Sequence, residues 1–323
     1  MHSIYRKIGK RNAFSGYALR WGLAVVSLVF SSLYAHAQTK KIYLANDDHT
    51  DYMWTGDEAT YKQAFSEMLD YYIKLNDSTA HLPYNQQSKW NCDGSYWVYN
   101  YKLTRSPAQF NKLIQQIKDG KITVPLNSMI VLLGAAPAEA SLRDMYYAGS
   151  LKRKYGLDLS LVLNMEDQVL PLGLSSLWAG AGAKYSWKGV CACATRVTGL
   201  ERKRPQMFWY RGLDDQQVLM KWYSVNPSMI TNRKEYRYNL GNYLEASNQL
   251  NAVTDCKALM NDPVYPYTIS GAFGKGGDDL TTLTNSFVKV AKENADTNYQ
   301  VIVSNEIDFF KDFEQQYGAA LPA

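Results

Sequence analysis

Two residues with metal-ligand chemistry stand two positions apart directly after an apolar run: His49 and Asp51 follow Ile42-Tyr43-Leu44-Ala45. In an extended segment, residues i and i+2 point the same way, so the imidazole and the carboxylate can share one target. One nitrogen and one oxygen donor suit zinc or another divalent ion. The same pair would also serve as a loop His and a loop Asp that hydrogen-bond to each other. Further carboxylates and amides follow other apolar runs. They are Asp93, Asn127, Asp167 (in Leu163-Asn164-Met165-Glu166-Asp167), and Asp278 and Asp279 behind the loop Gly274-Lys275-Gly276-Gly277. Each could equally cap a helix, a position that Asp favours.

The elements that must position these residues alternate between strands and helices. Strands are expected at Ile42–Ala45, Ser88–Cys92, Ile122–Leu126, Leu159–Asn164, Lys184–Trp187, Tyr267–Ser270 and Gln300–Val303. Thr55 and Glu58 form the ends of a capping box, and Tyr61, Phe65, Met68, Tyr72 and Leu75 then recur at helical spacing. Ser106-Pro107 opens another helix, with Pro at its first position. Its apolar face is Phe110, Leu113, Ile114 and Ile117, and Gly120 ends it. Helices are also expected at Ala138–Tyr155, Ser175–Gly182, Asn242–Leu250 and Leu280–Asn294, with a last one capped by Ser304. Met207–Tyr210 and Val218–Tyr223 read as a hairpin inserted into an otherwise parallel plan. Such alternation implies an α/β fold, a parallel sheet with helices outside. Closed on itself it is a (β/α)7 barrel of parallel strands with outer helices. No G-x-G-x-x-G follows the first strand, which argues against dinucleotide binding.

The first 37 residues read as a signal peptide. Arg6, Lys7, Lys10, Arg11 and Arg20 make its basic region, Leu23–Leu33 its apolar region, and Ala35-His36-Ala37 its cleavage site. That leader is too short in apolar length to span a bilayer comfortably, although an uncleaved anchor is the other reading. The mature chain then starts at Gln38, in the periplasm or outside the cell, with no later transmembrane segment. Of 35 Lys+Arg, five sit in the leader, which leaves 30 against 30 Asp+Glu. The excess of base therefore belongs to the leader and gives no reason to expect nucleic acid as a partner. The 4 cysteines are too few for a disulfide framework. Cys191 and Cys193 read as small buried residues, and one bridge using Cys92 or Cys256 is open in an oxidising compartment.

In parallel α/β barrels the active site gathers at the C-terminal ends of the strands, where the candidates lie. The chemistry they fit is carboxylate-based. A retaining glycosidase needs a nucleophile and an acid roughly 5–5.5 Å apart. Asp167 could attack the anomeric carbon, and Asp278 or Asp279 could protonate the leaving oxygen. A metal on His49 and Asp51 could polarise adjacent sugar hydroxyls. Trp54, Asp93 and Trp97, with Trp90, fall near the same rim, where indoles could stack on sugar faces or simply fill the core.

These residues resemble glycoside hydrolase family 38, the zinc-dependent α-mannosidases, over residues 40 to 317, which would match the N-terminal catalytic barrel. His49-Thr50-Asp51-Tyr52-Met53-Trp54 is similar to the family's H-x-D-x-x-W metal motif. Asp167, with Pro171 and Gly173 after it, resembles the opening of the nucleophile motif. Ala181-Gly182-Ala183-Lys184-Tyr185 resembles the strand entry that follows, and Gly274–Asp279 the acid/base segment. The resemblance implies Zn2+ held by His49, Asp51 and Asp167, with Asp167 also the nucleophile and Asp279, or else Asp278, the acid/base. Its expected activity is hydrolysis of O-glycosyl bonds in a glycan or oligosaccharide.

The sequence departs from that pattern in three places. Gln168-Val169-Leu170 separates Asp167 from Pro171, so Glu166 stands as the alternative nucleophile. The family takes a fourth ligand, a His, from beyond the barrel, whereas this sequence has only His2, His36 and His81 besides His49. The family's C-terminal domains are expected to be absent, which would leave an apolar face for self-association or for a partner supplying them. Two other functions stay open: a non-catalytic glycan-binding relative, and a metal-dependent carbohydrate deacetylase suggested by Asp47-Asp48.

Overall fold

The computed structural model describes residues 39–48, 50–130, 133–164, 170–188, 207–222, 224–225, 238–240, 249–263, 265–274 and 280–323. His49, Glu166, Asp167, Cys191, Cys193, Asp278 and Asp279 lie outside them, as does most of the helix expected at Asn242–Leu250.

The chain runs β1 (Lys40–Ala45), α1 (Glu58–Thr79), β2 (Trp90–Asn91), α2 (Tyr96–Thr104), α3 (Pro107–Lys118), β3 (Ile122–Thr123), α4 (Ala138–Asp144) and α5 (Tyr146–Tyr155). It continues through β4 (Leu161–Leu163), α6 (Leu174–Gly180), β5 (Tyr185–Lys188), β6 (Met207–Arg211), β7 (Gln217–Trp222), β8 (Ser224–Val225) and β9 (Tyr238–Leu240). It ends with α7 (Gln249–Leu259), β10 (Ile269–Phe273), α8 (Ser286–Asn294), β11 (Tyr299–Val303) and α9 (Glu306–Tyr317).

The fold is α/β with parallel sheets. β1 lies between β10 and β11, parallel to both, and β2 pairs with β3 in parallel. In a third sheet β4, β5 and β7 run parallel, and β6 joins β7 antiparallel; β8 and β9 form a separate antiparallel pair. Among the described residues these ladders do not close into one ring. Single contacts nevertheless carry the order onward. Lys89 Nζ donates to Val303 O at 2.8 Å, and Leu126 N donates to Leu161 O at 2.7 Å. The expected hairpin is present, but β7 is an integral strand of the third sheet rather than an insertion.

Strand alternation divides the core into layers. Ile42 and Leu44 of β1 face outward, onto Val253 and Cys256 of α7 and Phe287 and Ala291 of α8. Tyr43 and Ala45 face inward, toward Leu161, Leu163, Tyr185, Trp187, Leu219 and Phe273. The last helix fills that inner space. Phe309 meets Tyr43 and Phe273 edge-on at 5.8 and 5.0 Å, and Phe310 stacks on Tyr185 at 5.1 Å. Gly271 on β10 permits the fit, because a Cβ there would stand 2.9 Å from the Phe309 ring.

Several expectations are corrected in detail. Asp57, not Thr55, caps α1, its carboxylate accepting from Thr60 N at 2.9 Å. Thr55 instead bonds the Tyr61 hydroxyl at 2.9 Å. Asn305, not Ser304, caps α9. The helix expected at Ala138–Tyr155 is two, broken at Met145. Helix α2 went unrecognised because its sequence, YWVYNYKLT, has scarcely any one-sided apolar pattern. Cys92 and Cys256 are both free and buried, so neither forms the bridge considered from sequence.

Truncating the inner plug should be costly. Phe309→Ala is expected to destabilise the fold by about 3–5 kcal/mol, read as a lowered urea midpoint with an unchanged m-value.

Candidate active site at the strand ends

The loop after β1 carries the first candidate residues, and its geometry is fixed by backbone bonds. Thr50, between His49 and Asp51, donates its amide to the Asp93 carboxylate at 3.0 Å. Asp51 O accepts from Tyr61 Oη at 2.7 Å and from Trp54 N at 3.0 Å. The H-x-D segment is thereby tied to the end of β2 and to α1. Met53 sits at φ 65°, in the left-handed region that side chains seldom adopt, and the turn leaves Trp54 72% exposed.

The next two strand ends are braced in the same manner. Asp93 is buried, and Gly94 follows it because the chain passes the next loop very closely. A Cβ on Gly94 would stand 2.0 Å from Ser128 O. Asn127, after β3, accepts from Leu163 N at 2.9 Å and donates to Met129 O at 2.9 Å. Its role is to couple β3 to β4. Thr50, Asp93, Gly94, Tyr96, Trp97 and Ser128 surround a recess of 10 Å³, room for about one water molecule.

The sequence-predicted site is thus partly assembled. The structure brings Thr50 to Asp93 and leaves Asp51 half-buried on the same loop. It moves Trp97 off the rim: that residue is buried, with its ring stacked on Phe65 at 4.5 Å. Trp90 is likewise internal, stacked on Tyr72 at 3.8 Å. Trp54 alone of the three indoles offers a free face. Asp48 bonds Thr282 Oγ1 inside the protein, a structural use for half of the Asp47-Asp48 pair. Among the described residues no three His, Cys, Asp or Glu side chains converge on a point that could hold a metal.

Sequence reading missed a set of polar residues on the inner faces. Glu306, the first residue of α9, is fully buried. Its amide donates to Asn91 Oδ1 at 3.0 Å, and Asn91 Nδ2 donates to Asn46 O at 3.0 Å. Burial, and next the nearby Asp93 charge, raise the Glu306 carboxyl well above its ordinary range; Trp187 and Lys221 oppose that shift. Lys221 on β7 is buried too, with its ammonium over the Phe273 ring at 4.8 Å. Burial lowers its pKa to about 8, against the opposing pull of Cys256 and Glu306. A signal for both existed in the pattern. Glu306 shares the helical stripe of Phe310 and Phe313, and Lys221 alternates in register with inward-facing Leu219.

The lysine shift sets a pH dependence. Between pH 8 and the ordinary lysine value of about 10.4, the unfolded chain binds more protons at this site than the folded one. Stability therefore rises with pH across that window. Lys89, lowered to about 8 by burial, adds to the rise. Lys221→Met should reduce the slope of unfolding free energy from pH 8 to 10 and leave the Lys89 part. Gly94→Ala should cost about 2 kcal/mol or more through the clash with Ser128 O, read in the same denaturation series.

No protein-family profile matches this chain, and no curated protein does. Solved structures do match. An α-mannosidase from Enterococcus faecalis V583 aligns with TM-score 0.63 and 16% identity, over 88% of this chain and 30% of its own. A protein in the glycosyl hydrolase family 38 from Enterococcus faecalis aligns with TM-score 0.55 and 16% identity, over 86% and 28%. A 4-alpha-glucanotransferase from Thermococcus litoralis aligns with TM-score 0.53 and 11% identity, over 85% and 41%. The chain thus spans less than half the length of each of these proteins. At such identities the likeness is one of fold: the chain is folded like a stretch of each of these three proteins.

Proposed function

We propose that this chain is an exported glycoside hydrolase of the α-mannosidase type. It would act by a retaining mechanism on a glycan or oligosaccharide, from a (β/α)7 barrel. The observation that carries the reading is the anchored H-x-D loop. It stands at the C-terminal end of β1, the end at which such folds do their chemistry, in a chain folded like an α-mannosidase. The contacts of Lys89 with Val303 and of Leu126 with Leu161 support the barrel, since they link neighbouring sheets. The basic, apolar and A-x-A run of residues 1–37 supports export to the periplasm or beyond.

In this reading Asp167 is the nucleophile and Asp279, with Asp278 beside it, the acid/base. One imidazole and two carboxylates, from His49, Asp51 and Asp167, are donors that suit zinc, and Asp51 sits on a loop already fixed from both sides. The bound ion would supply polarisation of adjacent sugar hydroxyls. Asp93 holds the loop through Thr50, and Trp54 offers its indole face to a sugar ring. Asp93 is thereby a support for the substrate-binding loop.

Two measurements test this. Purified protein should carry stoichiometric zinc, and Asp51→Ala should lose it while its circular dichroism is unchanged. Hydrolysis of an aryl α-mannoside should give the retained anomer and vanish in Asp167→Ala. Unchanged turnover in that variant would remove the proposed nucleophile. Sugar binding without turnover, surviving Asp167→Ala, would identify a binding protein instead, and acetate release from an acetylated glycan would identify a deacetylase.

A further inference from the structure

The proposed chemistry lies at the C-terminal ends of the strands. The opposite ends frame an open pocket of 420 Å³, a volume ordinary for small-ligand sites, which run from about 300 to 1,000 Å³. Its floor is the start of β1 and β11. Lys41 pairs in register with Gln300, and Tyr43 with Ile302, and all four line the pocket. Its wall is one face of α9, where Asp308, Asp312 and Gln315 recur at helical spacing. Tyr84 and Asn85, from the single turn before β2, complete it. The strand from Lys41 to Ala45 spans about 13 Å at roughly 3.3 Å per residue, so the pocket stands well apart from the H-x-D loop. In parallel barrels this end is not the one that does chemistry.

The charges in the pocket are already spent. Asp312 accepts from Lys41 Nζ at 2.8 Å and from Tyr43 Oη at 2.7 Å. Asp308 accepts from the Tyr84 hydroxyl. Lys311, also in the lining, donates to Asp158 at 2.9 Å. Two ammoniums thus face two carboxylates, and a further ion of either sign would have to displace one of these contacts. The amides differ. Among the described residues, the side chains of Asn85, Gln300 and Gln315 make no hydrogen bond within the protein. Each carboxamide offers both donors and an acceptor.

Tyr84 adds a surface of another kind. It is 55% exposed, yet it is held in place. Its hydroxyl bonds Asp308, and the Lys89 ammonium lies 4.0 Å from the ring centroid. A ring fixed in this way loses little rotamer freedom when something packs against it.

This combination selects a ligand. It must be uncharged, carry several groups that donate and accept, and present an apolar C–H face to a ring. A sugar unit meets all three conditions. A bare peptide backbone meets only the first two.

We infer that this pocket is a second carbohydrate site, which holds a glycan without cleaving it. The choice of glycan rests on the glycosidase reading. The site adds to that reading a hold on long or branched substrates. Two contacts on one glycan raise affinity for the polymer over that for a short substrate, with no change in the chemical step.

The test compares full-length wild type with Gln300→Ala and Tyr84→Ala. The measurements are thermal unfolding, calorimetric titration with α-mannotetraose, and kinetics on an aryl α-mannoside and on polymeric α-mannan. Both variants should keep wild-type kinetics on the aryl mannoside. Both should bind the tetraose at this site about tenfold or more weakly, and show a raised KM on mannan with kcat unchanged. Tyr84→Ala also uncovers Lys89, so Gln300→Ala carries the same expectation without touching that lysine. Wild-type tetraose binding and mannan KM in both variants would overturn the inference and leave the mannosidase reading intact. Loss of binding confined to Tyr84→Ala, with a lowered unfolding temperature, would show that the tyrosine serves the fold and would overturn it too. If wild type cleaves no mannoside but binds the tetraose, and Gln300→Ala loses that binding, the glycosidase reading fails and the pocket stands. Binding of a tetra-alanine amide in place of the tetraose would make this a peptide groove, and binding of neither would leave the amides to water; either result overturns the inference.

Discussion

The packing of three phenylalanines from α9 against the inner faces of the strands is the constraint on which the site depends. Phe309, Phe310 and Phe313 are all fully buried and belong to the same inner cluster as Tyr43, Tyr185 and Phe273. A single helix thus bears on strands of two different sheets. Its position along its own axis is set by aromatic contacts that tolerate little sliding. Whatever stands at its first turn is placed with the same accuracy, and Glu306 stands there. Gly271 is the local condition for this arrangement, since any side chain on that strand position would push the Phe309 ring away.

The organisation of the chain was readable because it depends on periodicity. Apolar runs of four to six residues separated by helices with a clear stripe announce a parallel α/β fold, and the α3 face of Phe110, Leu113, Ile114 and Ile117 is buried as its spacing requires. Where a rule has near-equivalent candidates side by side, the local detail escaped. Thr55 and Asp57, or Ser304 and Asn305, all have side-chain oxygens suited to capping. What decides between them is where the helix axis must begin to pack its apolar face. That is a property of the tertiary structure. Helix α2 escaped for a different reason: aromatic on nearly every side, it is buried by α1 and exposed by turns, and no stripe marks it.

The chemistry-bearing residues differed in how plainly the sequence showed them. His49 and Asp51 stood out because metal ligands are rare residue types at a regular spacing. Glu306 and Lys221 did not, because each is a common residue embedded in an apolar pattern that it interrupts once. Trp97 was misplaced for the converse reason. An indole near a loop can stack on a ligand or fill a core, and its neighbours in sequence do not say which. The stacking partner, Phe65, is more than thirty residues away and comes from another helix. Residue type is thus a guide to chemistry, and tertiary packing alone decides whether that chemistry faces a ligand.

The inner polar residues and the loop after β1 contrast in how their polar groups are satisfied. The loop after β1 is held by satisfied bonds: Thr50 N to Asp93, Tyr61 Oη to Asp51 O, and Trp54 N to Asp51 O. These bonds are made whether or not a ligand is present, so the turn from Thr50 to Trp54 is preorganised at little cost. The inner polar residues are the opposite. Glu306, Lys221 and Asn164 leave five polar atoms without hydrogen bonds inside the protein, and each such atom costs roughly 1–3 kcal/mol. A domain whose whole stability is about 5–15 kcal/mol keeps such groups only under a strong compensating pressure. The aromatic plug supplies the compensation, because fully burying a phenylalanine contributes about 1.5–3 kcal/mol and three such residues share one helix with Glu306. The last helix thus carries both the stabilising surface and the unpaired group, which keeps the cost and its offset within a single element.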